Sequence, residues 1–511
     1  MAMRSGWCER GERLRGTALR LAALAVAGWM CAAGVAEQPC ASLRAVKVDG
    51  MTVTLAESVK AGAEAKYPKL PAFCRVEATL QPTSDSEIKI EVWMPEAAAW
   101  NGKYEGTGNG GWGGSIDRGA IASAVMRGYA ASSSDTGHAG GSASFAMGHP
   151  EKLIDFGYRS VHGMTVTAKA LIAAFYGGGP KLAYFEGCSS GGRQALMEAQ
   201  RFPEDYDGIV AGATTNNWTK MMFARIWVGQ ATLSDAASYI PPAKYPMIHR
   251  AVLAACDAMD GVKDGVLNEP MKCGFDPKAL ACKEGADGTD CLTKAQVEAA
   301  SRIYSPATNP RTGERIFPAM ERGSELVWGR LAGGPEPIAL ATDYFKYVVF
   351  EDPKWDFRTL NFDGDVAKAT KRDGGVLSAT DPDLRPFFAR GGKLIMYHGW
   401  TDQQVMPENS INYYRSVSAA VGAAKTDASY RLFMVPGMNH CGGGDGPNRF
   451  DMLGALELWR EDGKAPDAIV ASHEVGGAVD RTRPLCAYPE VAKYKGSGST
   501  DSAANFVCAK P

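Results

Sequence analysis

Leu182-Ala183-Tyr184-Phe185-Glu186-Gly187-Cys188-Ser189-Ser190-Gly191-Gly192-Arg193 joins a short apolar run to a segment, residues 193–202, that reads as a helix ended by Pro203. The apolar run suits a buried strand. Between strand and helix lies Gly187-x-Ser189-x-Gly191. A serine at the tip of a sharp strand-to-helix turn is exposed and conformationally strained, and the flanking glycines let neighbouring backbone pass close by. The start of the following helix directs N–H groups at negative charge that develops nearby. In this context Ser189 is a candidate nucleophile, and the N–H of Ser190 is a candidate donor to an oxyanion.

A nucleophilic serine needs a base, and the base needs a carboxylate to orient it. Downstream, Lys393-Leu394-Ile395-Met396-Tyr397-His398 reads as a strand followed by Gly399-Trp400-Thr401-Asp402. Arg431-Leu432-Phe433-Met434-Val435 reads as another, followed by Pro436-Gly437-Met438-Asn439-His440. Asp402 and His440 therefore each fall just past a strand end, where open α/β sheets carry their chemistry. The order Ser189, Asp402, His440 is the α/β-hydrolase order. His398, inside its strand, and His138, on a glycine-rich loop, are the rival bases, and Asp135 is a weaker rival acid. The expected fold is an α/β-hydrolase with a large inserted lid. Residues 214–380 break the strand and helix rhythm and separate the serine from the acid, so the hydrolase parts are residues 37–213 and 381–511.

The rest of the chain fits an exported protein. Residues 1–36 read as a signal peptide, with arginines at 4, 10, 13, 15 and 20, an apolar stretch over residues 21–33, and Gly34-Val35-Ala36 for cleavage. No other stretch is long and apolar enough to span a bilayer. The 511-residue chain balances 55 Lys+Arg against 57 Asp+Glu, which leaves no broad basic field for nucleic acid. Its 45% hydrophobic content is enough for a large core. The expected location is secreted or periplasmic, with no membrane association after cleavage.

Twelve cysteines are present, and Cys8 and Cys31 lie in the signal segment. The remaining ten suggest disulfides in an oxidising compartment. Sequence neighbours suggest Cys256–Cys273, Cys282–Cys291 and Cys486–Cys508, and Cys40–Cys74 would tie down the mature N-terminus. Cys188 and Cys441 remain. One directly precedes Ser189 and the other directly follows His440. A hydrogen bond between serine and histidine would bring these neighbours within disulfide range.

The combination Gly187-Cys188-Ser189-Ser190-Gly191-Gly192-Arg193, Asp402 and His440-Cys441 resembles the tannase and feruloyl esterase family, as do the segments from Arg201-Phe202-Pro203 to Ala213 and Arg483-Pro484-Leu485-Cys486. The resemblance implies a serine triad with a disulfide beside it, acting on small esters of aromatic acids such as feruloyl or galloyl esters. It also implies that Gly108, in Gly106-Thr107-Gly108-Asn109-Gly110-Gly111, supplies the second oxyanion N–H. Asp257-Ala258-Met259-Asp260-Gly261-Val262-Lys263-Asp264-Gly265-Val266 taken alone is an acidic turn that would suit a hard cation. The resemblance makes it a structural calcium loop in the lid, with Asp257, Asp260 and Asp264 as side-chain ligands and Val262 and Val266 as carbonyl ligands. Tyr344, Phe345, Tyr347, Phe350, Trp355, Phe357 and Trp328 would either grip a planar acyl group or fill the lid core. Two rival functions stand beside this one. The first is hydrolysis of mono(2-hydroxyethyl) terephthalate, a relative's activity, which calls for a lid arginine that residues 339–347 lack. The second is a non-catalytic calcium-dependent binding protein.

Overall fold

The strand-like runs leading to Ser189, Asp402 and His440 lie in the same half of a nine-stranded mixed sheet, the first separated from the other two by a single strand, residues 208–212. The computed structural model describes residues 37–511, so the expected signal peptide and its two cysteines lie outside the described residues. The strands are Met51–Val59 (β1), Phe73–Leu80 (β2), Ile88–Pro95 (β3), Lys103–Thr107 (β4), Ala130–Ser134 (β5), Leu182–Cys188 (β6), Gly208–Gly212 (β7), Lys393–Gly399 (β8) and Tyr430–Val435 (β9). Their spatial order is β1-β2-β3-β5-β4-β6-β7-β8-β9. The strands β1, β2, β3 and β5 are joined by antiparallel pairing, and every pairing from β5 to β9 is parallel.

The principal helices are Arg118–Met126 (α1), Ser160–Tyr176 (α2), Ser190–Arg201 (α3), Trp218–Leu233 (α4), Tyr245–Cys256 (α5), Lys294–Ile303 (α6), Glu408–Val421 (α7) and Met452–Asp462 (α8). Parallel strands are buried on both faces and read as continuous apolar runs. Successive residues nevertheless serve opposite layers. Ile209, Ala211, Leu394 and Met396 face one core, together with Val161 and Leu171 of α2 and Leu196 of α3. Val210, Ile395 and Tyr397 face the other, with Ile121 of α1 and Leu456 of α8. The result is a helix–sheet–helix sandwich.

A third core belongs to the inserted segment. It is built on α4, α5 and α6, and includes Trp218, Phe223, Trp328, Tyr344, Phe345, Trp355 and Phe357. Leu377 packs into this lid core, whereas Ala379 packs into the sheet core, so the chain crosses back within two residues. After α8 come two hairpins, Ala468–Val475 (β10) with Ala478–Cys486 (β11) and Val491–Tyr494 (β12) with Phe506–Ala509 (β13).

The ten cysteines among the described residues pair as the sequence suggested: Cys40–Cys74, Cys188–Cys441, Cys256–Cys273, Cys282–Cys291 and Cys486–Cys508. Among the described residues no helix is long and apolar enough to cross a membrane.

Candidate active site

Ser189 stands between β6 and α3 with φ +62° and ψ −120°, a conformation disfavoured for an L side chain. Its backbone is held from both directions. Ser189 N–H donates to the Gly212 carbonyl at 2.9 Å, and its own carbonyl accepts from Arg193 N–H at 3.1 Å. Tight glycine packing lets the turn form. A Cβ on Gly187 would fall 2.5 Å from the Gly191 backbone, and one on Gly108 would fall 2.5 Å from the Gly191 Cα.

Cys188 and Cys441 are bonded, with Cα atoms 6.0 Å apart, across 253 positions of sequence. Cys441, like Ser189, has φ +62°. The cross-link brings the serine turn of β6 to the loop after β9. Ser189 and His440 line the same cavity, which measures about 600 Å³. Among the described residues Ser189 Oγ takes part in no hydrogen bond, so the hydroxyl and imidazole meet only across this shared space.

Asp402 completes the set. It follows β8, is fully buried, and its Oδ2 accepts from His440 Nδ1 at 2.7 Å. Its Oδ1 accepts the N–H groups of Gln404 and Val405, at 2.7 and 2.9 Å. Burial alone would raise its pKa. The charges and hydrogen bonds of His440 and His398 hold it instead well below the usual carboxylate range. The Gln403 side-chain oxygen accepts the His440 backbone N–H at 3.1 Å, which fixes the histidine's main chain as well.

The rival residues fall elsewhere. His398 is fully buried, with Nε2 3.0 Å from both Asp402 Oδ2 and the Val405 carbonyl and Nδ1 2.7 Å from Ser410 Oγ. Two acceptors at Nε2 require the proton there, so His398 is a second donor on the same carboxylate. His138 stacks on Phe145 at 3.7 Å and points Nε2 at the Trp112 carbonyl. Asp135 accepts the Lys89 and Gly137 N–H groups and lies outside this set.

One expectation is corrected. Gly108 lines the cavity, but its N–H donates to the Glu186 carbonyl at 3.0 Å and so extends the β4–β6 ladder. The Asn109 N–H is likewise taken, by Gln194 Oε1 at 2.9 Å. Gly110 is the first residue of this loop whose N–H no described hydrogen bond uses, and it too lines the cavity. Ser190 begins α3, where the N–H has no partner within the helix, and its hydroxyl donates to the Gly111 carbonyl at 2.8 Å.

The cavity wall contains residues that the motifs did not single out: Glu105, Asp117, Arg127, Glu186, Arg330 and Gln404. Glu105 sits on β4 and Glu186 on β6, with Arg127 bonded to Glu105 at 2.7 Å and 3.7 Å from Glu186. Burial, with Glu186 adding to it and Arg127 opposing, pushes the Glu105 carboxyl up to about 8. Charged residues inside two adjacent core strands were the available signal. None of the seven aromatics flagged for the acyl group lines this cavity. Tyr344, Phe345, Trp355, Phe357 and Trp328 fill the lid core, with Tyr347 and Phe350 packed against it.

The acidic loop lies between α5 and the C-terminal hairpins. Asp257 accepts N–H groups of Asp264 and Gly265, Asp260 those of Val262 and Asn268, and Asp264 that of Val266. Asp264 also accepts from Arg483 of β11. Three carboxylates against one guanidinium leave an excess of negative charge, and burial together with Asp264 and Asp257 raises the Asp260 carboxyl. An all-oxygen donor set with unbalanced charge fits a hard divalent cation. The three carboxylates are more open than a closed cage. Among the described residues the trio of metal-ligating side chains whose atoms converge within 4.8 Å is His162, Glu198 and Asp205.

Comparison with known proteins bears on the whole chain. The family profile described as tannase and feruloyl esterase matches residues 74–509. An uncharacterised esterase of Xanthomonas campestris is 39% identical, covering 97% of this chain and 95% of the relative. A probable feruloyl esterase B-2 of Aspergillus terreus is 33% identical over 88% of each chain. The crystal structure of feruloyl esterase B from Aspergillus oryzae superposes with a TM-score of 0.86 at 31% identity, covering 92% of this chain and 100% of that one. Tannin acyl hydrolase from Aspergillus niger shares the fold, with a TM-score of 0.78 at 23% identity, covering 93% of this chain and 95% of that one.

Proposed function

The chain belongs to the tannase and feruloyl esterase family and is a carboxylic ester hydrolase, and on that premise we propose that it cleaves esters of aromatic acids through an acyl-enzyme on Ser189. The observation that carries the reading is the Cys188–Cys441 bond, which joins the serine turn to the histidine loop while Asp402 holds His440 from behind.

Asp402 accepts from Nδ1, so the neutral His440 keeps its proton there and leaves Nε2 free as the base. His440 takes the Ser189 proton as Oγ attacks the ester carbonyl. The N–H groups of Ser190 and Gly110 stabilise the oxyanion, and Gly108 serves the turn as the glycine that lets backbones approach. The tetrahedral intermediate collapses, and the alcohol leaves with the proton from His440. Water then gives a proton to His440 as it attacks the acyl carbonyl, and His440 passes that proton to Ser189 Oγ as the acid leaves. Asp402, held ionised, stabilises the imidazolium in both halves.

Calcium would be held by Asp257, Asp260 and Asp264 with the carbonyls of Val262 and Val266. The ion would neutralise the loop and tie the lid to the Arg483 hairpin, and would take no part in acyl transfer itself. The five disulfides support an exported protein.

A second reading has its own observation. Arg330, in the lid segment, lines the cavity beside Leu340 and Gln404 and makes no ion pair among the described residues. A half-ester with a free carboxylate, as in terephthalate monoesters, would meet this cation. Hydrolysis of methyl ferulate, methyl gallate and mono(2-hydroxyethyl) terephthalate by wild type, Ser189→Ala and Arg330→Ala separates the readings. Ser189→Ala is expected to lose all three activities with its fold intact. Arg330→Ala loses only the terephthalate if the second reading holds. Equal inactivity of wild type and Ser189→Ala on every ester would instead favour a binding protein.

A further inference from the structure

Behind the nucleophile helix, three pieces of chain bring metal-ligating atoms together. His162 lies on α2, Glu198 near the end of α3, and Asp205 on the loop leading to β7. One donor atom from each lies within 4.8 Å of the other two. His162 Nδ1 is 2.6 Å from Asp205 Oδ2. Glu198 is 1% exposed, and neither of its carboxylate oxygens meets a hydrogen-bond donor.

Two carboxylates facing each other in a buried site cannot both stay ionised without something positive between them. Lys169 does not supply the missing partner, because its ammonium is directed at the Asp205 backbone carbonyl. Among the described residues no other cation bonds to the Glu198 carboxylate.

We propose that His162, Glu198 and Asp205 form a divalent metal site, distinct from the lid loop and suited to zinc. An imidazole nitrogen with two carboxylates is a mixed donor set that favours a borderline metal over calcium, which takes oxygen ligands. The His162 ring is stacked on Phe202 at 3.9 Å, which fixes its plane. Its side chain is 33% exposed, so an ion can arrive from solvent and keep a water as a further ligand. Ligand atoms around tetrahedral zinc stand about 3.3 Å apart, so the His162–Asp205 contact opens by less than about 1 Å to admit it. Such a site would clasp α2, α3 and the following loop, and so hold the far end of the helix whose first turn presents Ser190.

The test uses the full chain, stripped of metal by a chelator and returned to excess calcium so that the lid loop is saturated. Zinc chloride is titrated in by calorimetry, and the thermal midpoint is followed in parallel. Wild type is expected to bind one zinc and gain at least about 3 °C. Glu198→Gln and His162→Gln should each bind zinc at least tenfold more weakly and lose the gain. His162→Gln changes a partly exposed position, so it serves where Glu198→Gln fails to fold. The proposal is overturned if wild type binds no zinc, or if the variants give the wild-type isotherm. It also fails if Glu198→Gln raises the midpoint without metal while zinc does nothing, the behaviour of a carboxyl pair sharing a proton. None of these readouts depends on ester hydrolysis.

Discussion

The strand ends of the sheet and the lid above them handle burial in opposite ways. At the strand ends, buried groups are polar and saturated: Asp402 accepts from two histidines and two backbone N–H groups. Arg225 reaches from α4 of the lid to join them: burial pulls its guanidinium down to about 10, and it donates to the Gln404 carbonyl two residues from Asp402. In the lid the buried mass is aromatic, with rings such as Phe223, Phe345 and Trp355 packed about 5.0 Å apart. Its acidic loop is held by turns of its own backbone and by Arg483. The contrast separates two tasks. Saturated hydrogen bonds fix the orientation of a few atoms, which chemistry requires. Aromatic packing contributes volume and stability, and is tolerant of exact orientation.

The contrast predicts a graded response of turnover. The largest effect is expected at the saturated carboxylate. Asp402→Ala should lower kcat by about 10⁴-fold, because His440 loses its tautomer and its counter-charge. Steady-state kinetics on an aryl ester reads this, and a loss below tenfold would break the comparison. Next is Cys188→Ser with Cys441→Ser. Chain-entropy reasoning for so long a loop gives an upper value of about 5 kcal/mol, read as a lower denaturation midpoint. Turnover should fall with it, because serine and histidine lose their tether.

His398→Ala should cost about 10- to 100-fold in kcat with KM little changed. It removes one donor from Asp402, so the Asp402 pKa rises toward its ordinary value. A depressed carboxylate contributes stability above its unfolded pKa and loses it as pH falls through the folded value. The variant should therefore unfold in acid at a higher pH than wild type, as followed by circular dichroism. Stripping the calcium proposed for the lid loop, or Asp257→Asn, should lower the thermal midpoint by several degrees while kcat of the folded fraction stays within about twofold. A large kcat effect would mean that the lid loop reaches into the chemistry.

The smallest effect on turnover is expected at Glu105→Gln. Its carboxyl is raised from 4.5 to about 8, so the folded state holds a proton that the unfolded state has lost. Stability should fall as pH rises from about 4.5 to about 8, and Gln should flatten that slope. Thermal midpoints at pH 5 and pH 8 measure it. An unchanged slope would place the titrating proton on Glu186 instead.

Legibility followed the same division. The places of Ser189, Asp402 and His440 just past strand ends could be read because strand ends are visible as apolar runs followed by glycine-rich loops. The cysteine pairs were legible because four are close in sequence and the fifth flanks two motif residues. Gly108 was misread for a reason of register. Its N–H continues the ladder to Glu186, and the loop turns free only two residues later. The aromatic run around Tyr344 was ambiguous because part of it winds as a π-helix, which scatters the faces that a regular helix would separate.

By itself the sequence determined the order of strands and turns, and with it the kind of chemistry, because backbone sterics and hydrophobic periodicity act locally. Only the tertiary structure decided which polar atoms face the cavity, which arginine is unpaired there, and that His162, Glu198 and Asp205 converge. Those outcomes depend on how helices and strands distant in sequence pack against one another, and the spacing of residues along the chain carries no record of that packing.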